Sequence, residues 1–133
     1  MSPRYAQVAR RAGHRCEYCH APEAIFNFPF EVEHILPLAR EGVDEEHNWA
    51  LSCRSCNLHK FTHVDGIDPK SRRKTRLFHP RKDIWKRHFS VNEENGQIEG
   101  LTAVGRATVI RLEMNSPSQV AARQQWMVLG IFP

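Results

Sequence analysis

Cys16 and Cys19, and again Cys53 and Cys56, are thiol pairs with two residues between them. Glu33-His34 and Asn48 lie between the pairs, and Asn57 follows the second pair directly. A Cys-x-x-Cys turn offers two adjacent corners of a tetrahedron, and two such turns complete the shell that Zn²⁺ prefers. Four thiolates leave no open position, so a zinc there is structural. The other reading of the thiols is two redox dithiols, but no thioredoxin-like strand-helix context surrounds either pair. The interval between Cys19 and Cys53 exceeds zinc-ribbon spacing, so an insert must occupy it. That insert holds different chemistry. A histidine, with an unperturbed pKa of about 6.5, can take a proton from water at neutral pH. Glu33 and Asn57 are oxygen donors for a hard divalent cation, and Asn48 can fix the histidine or its strand by hydrogen bonding. Hydrolysis of a phosphodiester needs these parts: an activated water and charge compensation at the phosphate.

These residues must be positioned by an α+β arrangement. Ser2-Pro3 reads as an N-cap and first helical residue, with Tyr5, Val8, Ala9 and Ala12 at helical spacing and Gly13 as the stop. Phe26, Phe28, Phe30 and Val32 alternate as in a half-buried strand, which Pro29 confines to an edge or breaks at its start. Pro37 ends that run, and a loop follows to Glu46. Trp49-Ala50-Leu51 is a second short strand, and 53–62 a helix opening at the second cysteine pair. Strict alternation sends Glu33 and His34 to opposite faces, so the strand must twist or end there for both to reach one site.

Gly66 and Asp68-Pro69 break the chain before the later half. A hairpin over Phe89–Leu101 turns at Asn95-Gly96. Thr102 caps a helix whose Ala103, Ala107, Ile110 and Met114 share a face, and Ser116-Pro117 starts a last helix. With 133 residues, one domain is expected, its motif core at about 14–62 and a basic, helical extension at about 63–133.

Hydrophobic content of 41% and charged content of 26% are those of a folded, water-soluble chain. No apolar run approaches a membrane span and no leader-like segment follows the N-terminus, so a cytoplasmic setting with reduced thiols is expected. The net charge of +4 permits a polyanionic partner. Its placement says more: Lys70, Arg72, Arg73, Lys74, Arg76, Arg81, Lys82, Lys86 and Arg87 crowd one stretch against a single acid, Asp83. That stretch is either a solvated face or a surface that tracks phosphates.

The run Glu33-His34-Ile35-Leu36-Pro37-Leu38, then Asn48, then Cys53-Arg54-Ser55-Cys56-Asn57-Leu58-His59-Lys60, resembles the HNH endonuclease family in its cysteine-containing form. The resemblance covers about residues 14–62 and implies a ββα-metal core. It implies His34 as general base, Glu33 and Asn57 as ligands of a catalytic Mg²⁺ or Mn²⁺, and Asn48 as the residue that supports the loop and orients the histidine. Arg54 and Lys60, with Arg72, Arg73, Lys74 and Arg76, are then the expected nucleic-acid contacts. Pieces of the later half, among them Leu77-Phe78-His79-Pro80-Arg81 and Gly105-Arg106-Ala107-Thr108, are similar to an extension of some stand-alone bacterial members. The implied function is phosphodiester hydrolysis in DNA. The alternative is a non-catalytic zinc module that binds DNA or RNA. His59 and His63, four residues apart beside Asn57, are further candidates for metal or phosphate contact.

Overall fold

The computed structural model describes residues 3–133, so the expected cap at Ser2 lies outside the described residues. Helix α1 (Pro3–Arg11) buries Val8 and Ala9. It ends where His14 N–H bonds back to Ala9 O and Gly13 takes a φ of +64°. Strands β1 (Glu31–His34) and β2 (Trp49–Ser52) pair antiparallel, with Glu33 opposite Ala50 and His34 opposite Trp49. Helix α2 (Arg54–Lys60) follows at once, capped by Cys53, whose sulfur accepts from Cys56 N–H.

The alternating phenylalanines do not make a strand. Phe26 and Phe28 lie in a bend before β1, where Phe26 meets the Phe30 and Trp126 rings edge-on at 4.9 and 6.1 Å. Their spacing serves an aromatic cluster under the C-terminal helix. Helix α2 is also shorter than the expected 53–62: it stops at Lys60, so His59 and His63 share no helix face.

The later half contains β3 (Asp65–Ile67) and β4 (Lys74–Arg76), an antiparallel pair that the basic composition concealed. Gly66, read as a breaker, lies inside β3, where a β-carbon would stand only 3.2 Å from Ala107 O and 3.3 Å from the Arg111 side chain. After the single turn α3 (Trp85–His88) come β5 (Phe89–Val91) and β6 (Ile98–Gly100). Their connection is longer than a two-residue turn. The Asn92 side chain accepts from Glu94 N–H at 2.9 Å, and Gly96 takes a φ of +75°.

Helix α4 (Ala103–Arg111) is capped by Thr102, whose hydroxyl accepts from Gly105 N–H at 3.0 Å. Its buried face is Gly105, Ala107, Thr108 and Val109, and the expected face member Ile110 is exposed. A β-carbon on Gly105 would collide with His88 O, so only glycine allows this approach of helix to α3. Helix α5 (Pro117–Val128) has proline in its first turn and buries Arg123 and Trp126. The buried apolar residues, from Val8 and Tyr18 through Phe78 and Phe89 to Leu112 and Phe132, form one cluster across both halves. No helix among the described residues is long and apolar enough to cross a membrane.

Asp68 anchors the turn between β3 and β4. Fully buried, it accepts from Arg106 Nε at 2.8 Å and from the backbone N–H groups of Lys70 and Ser71. The Arg106 guanidinium holds its carboxyl well below the usual carboxylate range. A depressed carboxylate gives stability that is present above its unfolded value, 3.8, and is lost as pH falls through the folded value. Asp68→Asn is therefore expected to lower the melting temperature at neutral pH and to flatten its decline in acid. Wild-type and variant melting curves that coincide at every pH would contradict this role.

Candidate metal centre and hydrolytic site

The four cysteines are unpaired by disulfides and buried. Cys16 and Cys19 sit on the turn after α1, closed by His20 N–H to Cys16 O at 2.9 Å, while Cys53 and Cys56 open α2. All four sulfurs lie within 4.8 Å of one another, and Cys19 Sγ is 3.7 Å from Cys53 Sγ. A zinc with bonds of about 2.3 Å requires sulfur–sulfur edges of about 3.8 Å, so the cluster fits it. Electrostatics agrees. Burial opposes ionisation of Cys16, but its three thiol neighbours together draw its pKa well below the ordinary value. Cys53 and Cys56 are driven upward, first by Cys16. One thiolate is favoured and further ones are opposed, and a bound dication removes that opposition. Arg123 brings a cation from α5: burial lowers its pKa, and Cys19, Cys56 and Cys53 push it back up.

Glu33, His34 and Asn57 border one open depression of about 320 Å³, with Pro37, Leu38 and Phe61 on its rim. Strand alternation holds, and it gives the two adjacent residues different surroundings. Glu33 turns inward at 6% exposure, where its carboxylate accepts from the Tyr18 hydroxyl and, at 3.1 Å, from Lys60 Nζ. Burial pushes the Glu33 carboxyl up, against the pull of Lys60 and Tyr18. His34 turns the other way and places Nε2 2.8 Å from Asp44 Oδ1. Asp44 is itself fixed by Arg4 and by Trp49 Nε1 at 3.0 Å. Arg4 above all, then His34 and Trp49, hold the Asp44 carboxyl below its usual range. A carboxylate accepts only, so Nε2 carries a proton, and in the neutral ring Nδ1 is then the nitrogen with the lone pair. Among the described residues, Nδ1 has no hydrogen-bond partner.

Asn48 is buried and spans the loop between the strands. Its oxygen accepts from Leu36 N–H at 2.8 Å, and its amide donates to Leu36 O and Val43 O at 2.9 and 2.8 Å. It thus closes the loop that carries Asp44, and among the described residues it makes no hydrogen bond to the His34 side chain. Gly42 completes the closure, since a β-carbon there would overlap Leu36 O. Asn57 donates its amide to the Glu31 carboxylate, leaving its Oδ1 as a donor atom for a cation.

Sequence reasoning missed Asp44 and Glu31. Glu31 stands two residues before Glu33, so strand periodicity alone places both on one face. Asp44 had no local signal, because only the folded-back loop brings it to His34. Lys60 needs correcting as a nucleic-acid contact: it is 2% exposed, and its ammonium serves Glu33 and the carbonyl of Ile35 at 2.8 Å. Its helix faces β1, so the side chain reaches inward. Arg54, Arg72 and Arg73 are exposed. Lys74 and Arg76 have acidic partners, Asp65 at 3.5 Å and Asp83 at 2.7 Å. His59 is taken up by Ser55 O at 2.8 Å and Glu113 at 3.1 Å.

The HNH endonuclease family model matches residues 16–63. That segment is similar to an HNH domain. The match begins at the first cysteine and encloses all four, together with β1, β2 and α2. The cysteine cluster is consistent with a zinc-binding type of HNH domain. No curated protein and no solved structure matches the chain.

Proposed function

We propose that this chain is a metal-dependent HNH endonuclease that hydrolyses phosphodiester bonds in DNA, built on a ββα-metal core. The observation that carries the reading is His34 held by Asp44 through Nε2, with Nδ1 unengaged, on the same depression as Asn57. In this reading Nδ1 takes a proton from water as the water oxygen attacks phosphorus. Asp44 keeps the ring in the Nε2–H tautomer and stabilises the imidazolium that forms. Asn48 holds the loop that presents Asp44. Asn57 and the neighbouring Glu31 offer oxygen atoms to a hard cation that keeps several waters, and Glu33 would join them once released from Tyr18 and Lys60. Bound there, Mg²⁺ or Mn²⁺ supplies charge compensation at the phosphate and the departing oxygen.

Incubating the purified protein with supercoiled, linear and single-stranded DNA, and with RNA, tests the proposal directly. Cleavage of DNA with Mg²⁺ or Mn²⁺ that chelator abolishes is expected. Absence of cleavage on every substrate and metal would leave the second reading, a zinc module that binds nucleic acid without cutting it. One observation favours that second reading: Glu33 is held by Tyr18 and Lys60 rather than open to a cation.

Arg72 and Arg73 are exposed and have no acidic side-chain partner among the described residues. If they bind phosphates, replacing both with Gln weakens binding about equally across unrelated sequences. The slope of log affinity against log salt then shrinks by roughly 0.9 for each phosphate that is no longer neutralised. Unchanged slopes would make this stretch a solvated face.

A further inference from the structure

Phe61 ends α2 with φ +48° and ψ −122°, a backbone conformation that favours glycine. It is also 70% exposed, and among the described residues the aromatic ring paired with it is His63, edge-on at 6.5 Å between centroids. A large aromatic residue here is thus unfavourable in two independent ways, a backbone that favours glycine and a ring left mostly to solvent. Backbone strain of this kind persists where a side chain must be presented. Phe61 is presented at the rim of the depression that His34 and Asn57 border. The chain beside it carries a cation, since exposed Arg40 donates from Nε to Thr62 O at 2.6 Å. An exposed aromatic face, a neighbouring guanidinium and a polar floor match the three parts of a nucleotide: base, phosphate and reacting centre.

We infer that Phe61 is a base-stacking residue, which receives the nucleobase next to the phosphate bound at His34 and Asn57. This rests on the nuclease reading for the location of the phosphate, and it adds the contact that fixes the strand beside it. Stacking needs a flat π-face and no particular base, so the contact confers affinity and placement with little sequence preference.

The test uses full-length protein carrying His34→Ala, so that bound DNA stays intact, and oligonucleotides with 2-aminopurine at successive positions. With Phe61 present, 2-aminopurine fluorescence should be quenched at one or two adjacent positions. Phe61→Gly and Phe61→Ala should lose that quenching and about tenfold in affinity, and Phe61→Tyr should retain both. Melting temperatures provide the independent readout of strain. Glycine should be more stable than alanine at position 61, the reverse of the usual order.

Affinity and quenching that survive in Phe61→Gly would overturn the inference, even if the wild-type protein cleaves DNA normally. Phe61-dependent quenching in a protein that never cleaves would uphold the inference and remove the nuclease reading instead. If Phe61→Gly changes self-association in sedimentation and leaves DNA affinity intact, the ring belongs to an interface between copies and the inference fails.

Discussion

His34→Ala is expected to lose about 10²–10⁴-fold in cleavage rate while keeping its melting temperature and its affinity for DNA. The size follows from the proposed role as general base, a group acting on the attacking water and not on substrate binding. The geometry adds a graded control. Asp44→Asn keeps the shape but lacks the charge that stabilises an imidazolium, and its amide can donate to Nε2 and favour the wrong tautomer. Its rate should therefore fall between wild type and His34→Ala, with KM little changed. Because Asp44 also holds Arg4 and the Trp49 indole, melting curves must accompany the kinetics. Undiminished cleavage by His34→Ala, with contaminating nuclease excluded, would end the general-base assignment.

Cys53→Ser should have the largest effect on folding. Apparent binding free energies for structural zinc run to roughly 10–16 kcal/mol in small domains, comparable to or above the whole stability of a chain this size. Cys53 belongs to the four-cysteine cluster that fits zinc and is also the cap of α2, so its loss frees the end of the helix that carries Asn57. Zinc content measured by atomic absorption and the melting temperature should drop together, and cleavage should follow the fold. A variant that holds stoichiometric zinc and melts like wild type would show that Cys53 is not a ligand.

Where local chemistry decided structure, the sequence was readable. The Thr102 cap, the hairpin around Asn95-Gly96, the proline at the start of α5 and the convergence of the four cysteines all rest on interactions among near neighbours or on a repeated motif. Readings failed where a distant partner prevailed. Phe26 and Phe28 alternate like strand residues, yet Trp126 draws the segment into an aromatic cluster. Lys60 looks like a surface cation until Glu33 and two strand carbonyls are placed beneath it. The site divides the same way: His34, Asn48 and Asn57 are visible in the motif, whereas Asp44 depends on a loop closure that no local pattern encodes.

The family match stops at residue 63, but the contacts do not. Glu17 pairs with Arg81, the Tyr18 carbonyl accepts from Trp85 Nε1 at 2.7 Å, and the Tyr18 ring meets Phe78 edge-on. Arg15, just ahead of the match, donates to Ile131 O at 2.9 Å. Arg123, from α5, stands in the field of the cysteines. The portion of this chain that resembles other proteins is therefore smaller than the portion that must be present for it to hold together. Transplanting residues 16–63 into another scaffold would carry the motif but orphan a carboxylate, a carbonyl and an aromatic face at its back. The family match marks a shared motif, and cooperativity draws its border elsewhere.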